Sequence, residues 1–374
     1  MRKIVSSLLA FALLLSVIFA FGCKGADSGS MIEGLDTSKL IGEYTKELAG
    51  AKLNVFNWGE YISDGSEGSL DVNAAFEKLT GIDVNYSNYD TNEALYTKLS
   101  GGGASYDIIV PSDYMIERLI NEGMVQKPDL SKIPNYKYIP EEFKNLYFDK
   151  NNEYSIPYTN GMVGLIYNKT MVEEAPKSWS SLWDSKYSGK ILMFNNSRDS
   201  FGIALYLLGI DVNTASQAQW EACAEKLKEQ KQYLQRYVMD EVFDLMESGE
   251  AALAPYYAGD CISMIENNPD LALVYPNEGT NIFVDSFCIP KSTQNVEAAL
   301  LYINFMLEPE IALANAEFIC YACPHTAVLA DERYSLRDNE ALYPKKKVKA
   351  EYFHNLDRDT LDLLARLWED VKLY

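Results

Sequence analysis

A short β-rich run, a turn and an amphipathic helix recur along this chain, and few folds accept that order. Residues 52–56 read as a strand, and 72–79 as a helix closed by Thr80 and Gly81. Residues 82–86 give the next strand and 94–99 a helix. A buried strand over 107–110 stops at Pro111, and a helix over 114–121 ends at Gly123. A second series places strands at 162–167, 190–194, 251–255, 271–275 and 283–290. Helices are expected over 180–183, 201–208, 217–229, 296–306, 309–316 and 359–372. Alternation of this kind predicts an α/β fold with largely parallel strands. Ligands on such sheets bind beyond the carboxyl ends of the strands, so polar residues there are the candidates for function.

The N-terminus speaks of export. Arg2 and Lys3 precede an apolar run from Ile4 to Phe21, and Ala20-Phe21-Gly22-Cys23 follows. This is the order of a signal segment, and its small residue before cysteine looks like a bacterial lipobox. Residues 1–22 are therefore expected to leave, with Cys23 as the lipidated first residue. Ala20 stands where such a box usually has an aliphatic, so an uncleaved anchor is the alternative. Residues 23–50 read as a tether, flexible over Gly25-Ala26-Asp27-Ser28-Gly29-Ser30, with a short helix expected over 37–49. No later stretch has the apolar length to span a bilayer. The expected location is the periplasm or cell surface, with the body soluble and lipid-anchored.

Loss of Arg2 and Lys3 would take the formal charge from -21 to -23. So acidic a chain argues against nucleic acid, whose binders need basic patches, and suits cationic ligands. Five cysteines remain beyond Cys23: Cys223, Cys261, Cys288, Cys320 and Cys323. An odd number cannot all pair, and the spacing of Cys320 and Cys323 lacks a thioredoxin-like setting. His325 and His354 are the two histidines, and neither sits in a zinc-like cluster. Gly101-Gly102-Gly103 lacks the Lys-Ser/Thr of a phosphate loop and more simply ends a helix. No metal and no cofactor is expected.

The predicted strand ends share one chemistry. Glu60, Asp199, Asp260 and Asp285 are carboxylates, and Trp58, Tyr61, Tyr114, Tyr257, Phe283 and Tyr321 are aromatics at similar loop positions. Asn57-Trp58-Gly59-Glu60-Tyr61 sets a carboxylate between two rings, which suits an organic cation: rings face methylenes and the acid meets ammonium. Each residue has a plainer alternative. Glu60 could be a solvated loop charge, Asp199 and Asp260 helix caps, and Phe283 core.

Ordered segments then carry a resemblance. They are Asn57-Trp58-Gly59-Glu60-Tyr61, residues 85–93, residues 106–112, residues 122–127, Tyr154-Ser155-Ile156-Pro157-Tyr158, Asn277-Glu278-Gly279 and Phe283-Val284-Asp285-Ser286. From about Asn54 onward the chain resembles the spermidine/putrescine-binding proteins of bacterial ABC uptake systems. The resemblance implies a two-lobe periplasmic-binding-protein fold of type II-like form, with the ligand in the interlobe cleft and two crossing hinge strands near 158–161 and 281–285. Lobe 1 would take 51–160 and return over 284–330, lobe 2 would take 161–283, and 331–374 would sit on lobe 2.

The resemblance further implies a box of Trp58, Tyr61, Tyr257, Phe283 and Tyr321 around the methylenes and a polar wall of Ser112 and Tyr114. Glu60, Asp199 and Asp285 would receive the amines, and Arg198 and Asp260 join the candidate contacts. Spermidine binders carry an aspartate where this chain has Asn196 and Trp where it has Tyr257 and Phe283. Tyr257-Ala258-Gly259-Asp260 looks like the putrescine-preferring members, so putrescine is expected to bind at least as well as spermidine. The partner would be a permease, and the protein a monomer without enzymatic activity. Binding of another cation, such as ferric iron on tyrosines, and an enzyme on the same scaffold are the rivals.

Overall fold

The computed structural model describes residues 31–102 and 105–374. The expected signal, Cys23 and the start of the tether lie outside the described residues. A ribbon of β1 (Met31–Ile32) and β2 (Leu35–Asp36) comes first. There follow β3 (Lys52–Trp58), β4 (Asp83–Tyr89), β5 (Ile108–Ile109), β6 (Val125–Gln126) and β7 (Ser155–Asn168). Then come β8 (Ile191–Phe194), β9 (Leu234–Val238), β10 (Leu253–Tyr257), β11 (Leu271–Val274), β12 (Thr280–Pro290) and β13 (Ala350–Glu351). The helices are α1 (Val72–Thr80), α2 (Asn92–Ser100), α3 (Asp113–Asn121), α4 (Ser197–Leu208), α5 (Gln217–Gln230) and α6 (Val242–Glu247). The remainder are α7 (Ala258–Asn267), α8 (Val296–Met306), α9 (Pro309–Ile319), α10 (Thr326–Ala330) and α11 (Arg358–Leu373).

Helix boundaries follow local chemistry. Asp71, Thr91 and Asn196 cap α1, α2 and α4 with side-chain oxygens that accept the N–H of the third helical residue. Gly81 and Gly209 end α1 and α4 in the left-handed conformation. The helix expected over 37–49 does not form beyond a single turn at Thr37–Lys39. The amides of Ile41 and Gly42 bind the buried carboxylate of Glu308 instead, at 2.9 and 2.7 Å.

Eleven strands join into one sheet in the order β4-β3-β5-β12-β7-β10-β8-β9, with β11 on β7 and both β6 and β13 on β12. The outer pairs β3–β4, β3–β5, β8–β9 and β8–β10 are parallel, as the alternation predicts. The centre is antiparallel. β7 and β12 run alongside each other from Ser155 opposite Cys288 to Met162 opposite Ile282, with a bulge between Asp285 and Ser286. These are the two crossing strands. The 14 residues of β7 enter with one core and leave with another.

One core gathers Leu53, Phe76, Ile156, Phe287 and Phe305. The other gathers Leu165, Phe194, Trp220, Leu253 and Phe353, with Leu364, Trp368 and Val371 of α11. Tyr334, Leu336 and Leu342 join a third, smaller cluster with α9 and the start of α7. The five cysteines of the folded body are buried free thiols. No helix among the described residues is long and apolar enough to cross a membrane.

Candidate functional site

A cleft of about 730 Å³ lies where the two crossing strands pass from one core to the other. Its acids arrive by a shared route. Glu93, Asp113, Asp199 and Asp260 sit in the first turns of α2, α3, α4 and α7. Each of these helices begins just past a strand, so its positive N-terminal end faces the cleft and favours a carboxylate there. Asn281, Phe283 and Asp285 line the cleft as alternate residues of β12. The register shift beside Asp285 falls on the β7 side, where Tyr158 is passed over between Thr159, opposite Asp285, and Pro157, opposite Ser286.

Phenols and carboxylates pair around the wall. Tyr61 donates to Asp285 Oδ2 at 2.6 Å and also contacts Thr159 Oγ1 at 2.6 Å. Tyr257 donates to Asp199 Oδ2 at 2.7 Å, and Asn196 Nδ2 donates to the same oxygen at 2.8 Å. Tyr321 donates to Asp260 Oδ2 at 2.9 Å. Tyr114 donates to Glu93 Oε1 at 3.1 Å. Asp285 is buried, and its second oxygen, Oδ1, has no partner. Burial pushes the Asp285 carboxyl up to about 6, although the neighbouring Ser112, Tyr61 and Thr159 side chains hold it lower. Burial, with some repulsion from Asp240, Glu60 and Asp285, raises Asp260 to about 8 against the hydrogen bond from Tyr321. Asp199 and Glu93 are raised as well, again chiefly by burial.

The rings form a continuous wall. Tyr61 meets Tyr321 edge-on at 4.8 Å, Phe283 lies 6.4 Å from Tyr321, and Tyr257 meets Phe283 edge-on at 5.5 Å. Trp58 is fixed by its indole N–H to Val110 O at 2.8 Å and by the Tyr89 ring at 4.6 Å. Glycines make room for these contacts. A Cβ on Gly259 would stand 2.1 Å from the Tyr321 ring, and one on Gly161 would stand 2.7 Å from Phe283. The left-handed Cys320 (φ 59) turns the chain after α9 and delivers Tyr321 to the wall.

Ten of the expected contacts thus line one cleft: Trp58, Tyr61, Ser112, Tyr114, Asp199, Tyr257, Asp260, Phe283, Asp285 and Tyr321. Two do not. Glu60 takes a positive φ of 48° at the turn after β3, which leaves its side chain exposed outside the lining. Arg198 is buried and faces away from the cleft, its guanidinium on Val212 O at 3.2 Å and over the Phe353 ring at 4.1 Å. Sequence reasoning missed Glu93, Asp113 and Asp240, which all line the cleft. The first-turn rule would have found the first two. Asp240 lies two residues past the end of β9, a strand the sequence pattern does not announce.

The lining has neither histidine nor cysteine. Burial raises the Cys261 and Cys288 thiols well above their usual range, so neither is an activated nucleophile. The lining phenols Tyr61, Tyr257 and Tyr321 are likewise pushed up by burial and by the acids they donate to.

A fold of two α/β cores joined by crossing strands, with the cleft between them, defines a solute-binding protein. The chain belongs to the bacterial extracellular solute-binding protein family, whose model matches residues 72–342. It is 34% identical over 296 residues to the spermidine/putrescine-binding periplasmic protein of Salmonella typhimurium, covering 78% of this chain and 83% of that one. Among solved structures it is similar to the spermidine/putrescine ABC transporter substrate-binding protein PotD of Streptococcus pneumoniae. The TM-score there is 0.71 at 35% identity, over 87% of this chain and 99% of the other. It is also similar to the TpPotD lipoprotein of Treponema pallidum, with a TM-score of 0.76 at 25% identity over 86% and 100% of the two chains.

Proposed function

We propose that this protein captures polyamines outside the cytoplasm, putrescine and spermidine among them, and delivers them to an ABC permease. The observation that carries this reading is Asp285: a buried carboxylate with one oxygen unpartnered, inside a wall of aromatic rings and between two further groups of acids. A diammonium chain is the complement of such a cleft. Four buried methylenes are worth about 3 kcal/mol at about 0.8 each. Each ring that faces a charged nitrogen adds roughly 0.5–2 kcal/mol. An ammonium buried without an acid would cost several kcal/mol, so acids are needed wherever nitrogens rest. Relatives named for spermidine and putrescine binding support the same substrate class.

In this reading Trp58, Tyr61, Tyr257, Phe283 and Tyr321 grip the methylenes, with Ser112 and Tyr114 as polar wall. Asp285 holds a central nitrogen, while Asp199 with Glu93 and Asp260 with Asp240 serve the two ends. The ferric-iron reading needs phenolates, whereas these phenols are neutral donors to carboxylates. Calorimetric titration with putrescine, spermidine and ferric salts tests the substrate class. Absence of heat with either amine refutes it. Putrescine binding at least as tightly as spermidine is the expected order, because Asn196 supplies no charge; a spermidine affinity more than about tenfold higher refutes that order.

The remaining assignments belong to the same proposal. Residues 1–22 leave as a signal, Cys23 carries lipid, 23–50 tether a monomer, and the lobes divide near 160 and 283. Intact-mass measurement of the native protein tests the anchor; an unmodified Cys23 or another start excludes it.

A further inference from the structure

Arg198 is 2% exposed and forms no ion pair among the described residues. A buried guanidinium is costly unless its donors are used. Here three hydrogen bonds go to Val212 and Asn213 and one to His354 in the segment 352–355, while Nε has no partner. Both terminal nitrogens donate to Val212 O at 3.2 Å, and Nη2 reaches Asn213 Oδ1 at 3.3 Å and His354 O at 3.4 Å. The guanidinium plane covers Phe353, whose ring sits over Gly202 of α4, where a Cβ would come within 2.5 Å. Asn213 completes the cradle: its Nδ2 donates to Tyr352 O at 2.9 Å, and its Oδ1 accepts from His354 N at 2.8 Å.

The other side of this segment meets the first lobe. Tyr147 donates its hydroxyl to Phe353 O and packs against His354 with ring centres 4.1 Å apart and the planes tilted by 33°. Glu117 of α3 accepts the amide of Asn355 at 2.8 Å. Tyr352 packs against the cluster of Phe56, Tyr89 and Ile116. Phe353 itself belongs to the core of the second lobe, so residues 352–355 bridge the two lobes beside the cleft. Two links tie the bridge to the cleft. Asp199, which lines it, is the next residue of α4 after Arg198. Tyr114 donates to Glu93 in the cleft and has its ring 6.4 Å from Phe353.

We infer that Arg198 is a positioning residue which fixes residues 352–355 as a latch, so that seating a cation at Asp199 and Glu93 fastens the lobes together through Tyr147 and Glu117. This rests on the reading of the cleft as a ligand site. Contacts that tie the two lobes together raise the barrier to reopening, so the latch is expected to govern release more than capture.

Stopped-flow kinetics of the full chain with putrescine and with spermidine test it. The Tyr147→Phe/Glu117→Ala double variant removes the first-lobe half of the latch; neither residue lines the cleft, although Tyr147 also reaches Asp113, which does, so Glu117→Ala alone is measured beside it. Dissociation should accelerate about tenfold, with association within about twofold of the parent. Arg198→Lys keeps the charge but loses the planar fork and the stack on Phe353, and should show the same split. If Arg198→Lys does not fold, the double variant still decides. An unchanged dissociation rate in the folded double variant, while the parent binds, overturns the latch. A parent that binds neither amine overturns the underlying ligand reading instead.

Discussion

Asp285 shows how much of this site one side chain carries. Tyr61 and Thr159 occupy one oxygen, and the other has no partner. Asp285→Asn keeps the shape and removes the charge, so a bound ammonium loses its partner. The expected loss is about 3–5 kcal/mol of binding by calorimetry, with the melting temperature of the ligand-free protein unchanged or raised. Glu60→Gln is the contrast, because an exposed carboxylate is screened; a change of no more than about threefold is expected in the same titration. Gly259→Ala probes the wall instead. Its Cβ would stand within 2.5 Å of three Tyr321 ring atoms, so the ring must move off Asp260. Polyamine affinity should fall by about 1–3 kcal/mol, the usual cost of overpacking, while circular dichroism stays that of the parent.

Among the elements, the entry of the chain into its first core is the least expected. Glu308, at 0% exposure, accepts from Ile41 N, Gly42 N, Tyr44 Oη and Asn135 Nδ2. A segment that reads as tether is therefore docked along part of its length. Glu308→Ala leaves several buried donors unmatched, each worth about 1–3 kcal/mol. The variant should melt lower, and limited proteolysis should cut it within residues 31–50 where the parent resists. β7 is instructive in another way. Only 162–167 reads as strand, because Pro157, Thr159, Asn160 and Gly161 break the apolar pattern. Pairing with β12 extends it back to Ser155, and those same polar and small residues are what the hinge needs around Asp285 and Phe283.

For the whole molecule, the acids of the cleft couple binding and stability to pH. Asp285 at about 6 and Asp260 at about 8 both lie above the ordinary value of 3.8. The empty folded protein therefore holds more protons than the unfolded chain between about pH 4 and 8, and these groups make it less stable as pH rises through that window. A polyammonium ligand favours the ionised forms. Its affinity should rise from pH 5 to about 8, and at pH 7 binding should release a proton, chiefly from Asp260. Titration in buffers of different ionisation enthalpy measures that release; proton uptake, or none, contradicts it. The melting shift produced by putrescine should likewise be larger at pH 8 than at pH 5.

Fold class and most of the wall were legible in the amino-acid sequence, since period-two and helical patterns mark strands and helices, and parallel sheets bind ligand at strand ends. Ring and acid identities at those ends, from Trp58 to Tyr321, then narrowed the chemistry to an organic cation. Which way a side chain points is a different matter. Glu60 turned outward because a left-handed turn follows β3, and Arg198 turned to a segment more than 150 residues away. Asp240 entered the cleft from the turn after β9, and Glu93 from a helix start. Those outcomes depend on register and on contacts between distant segments, and local patterns hold no record of them; only the packed lobes decide which acids face the cleft.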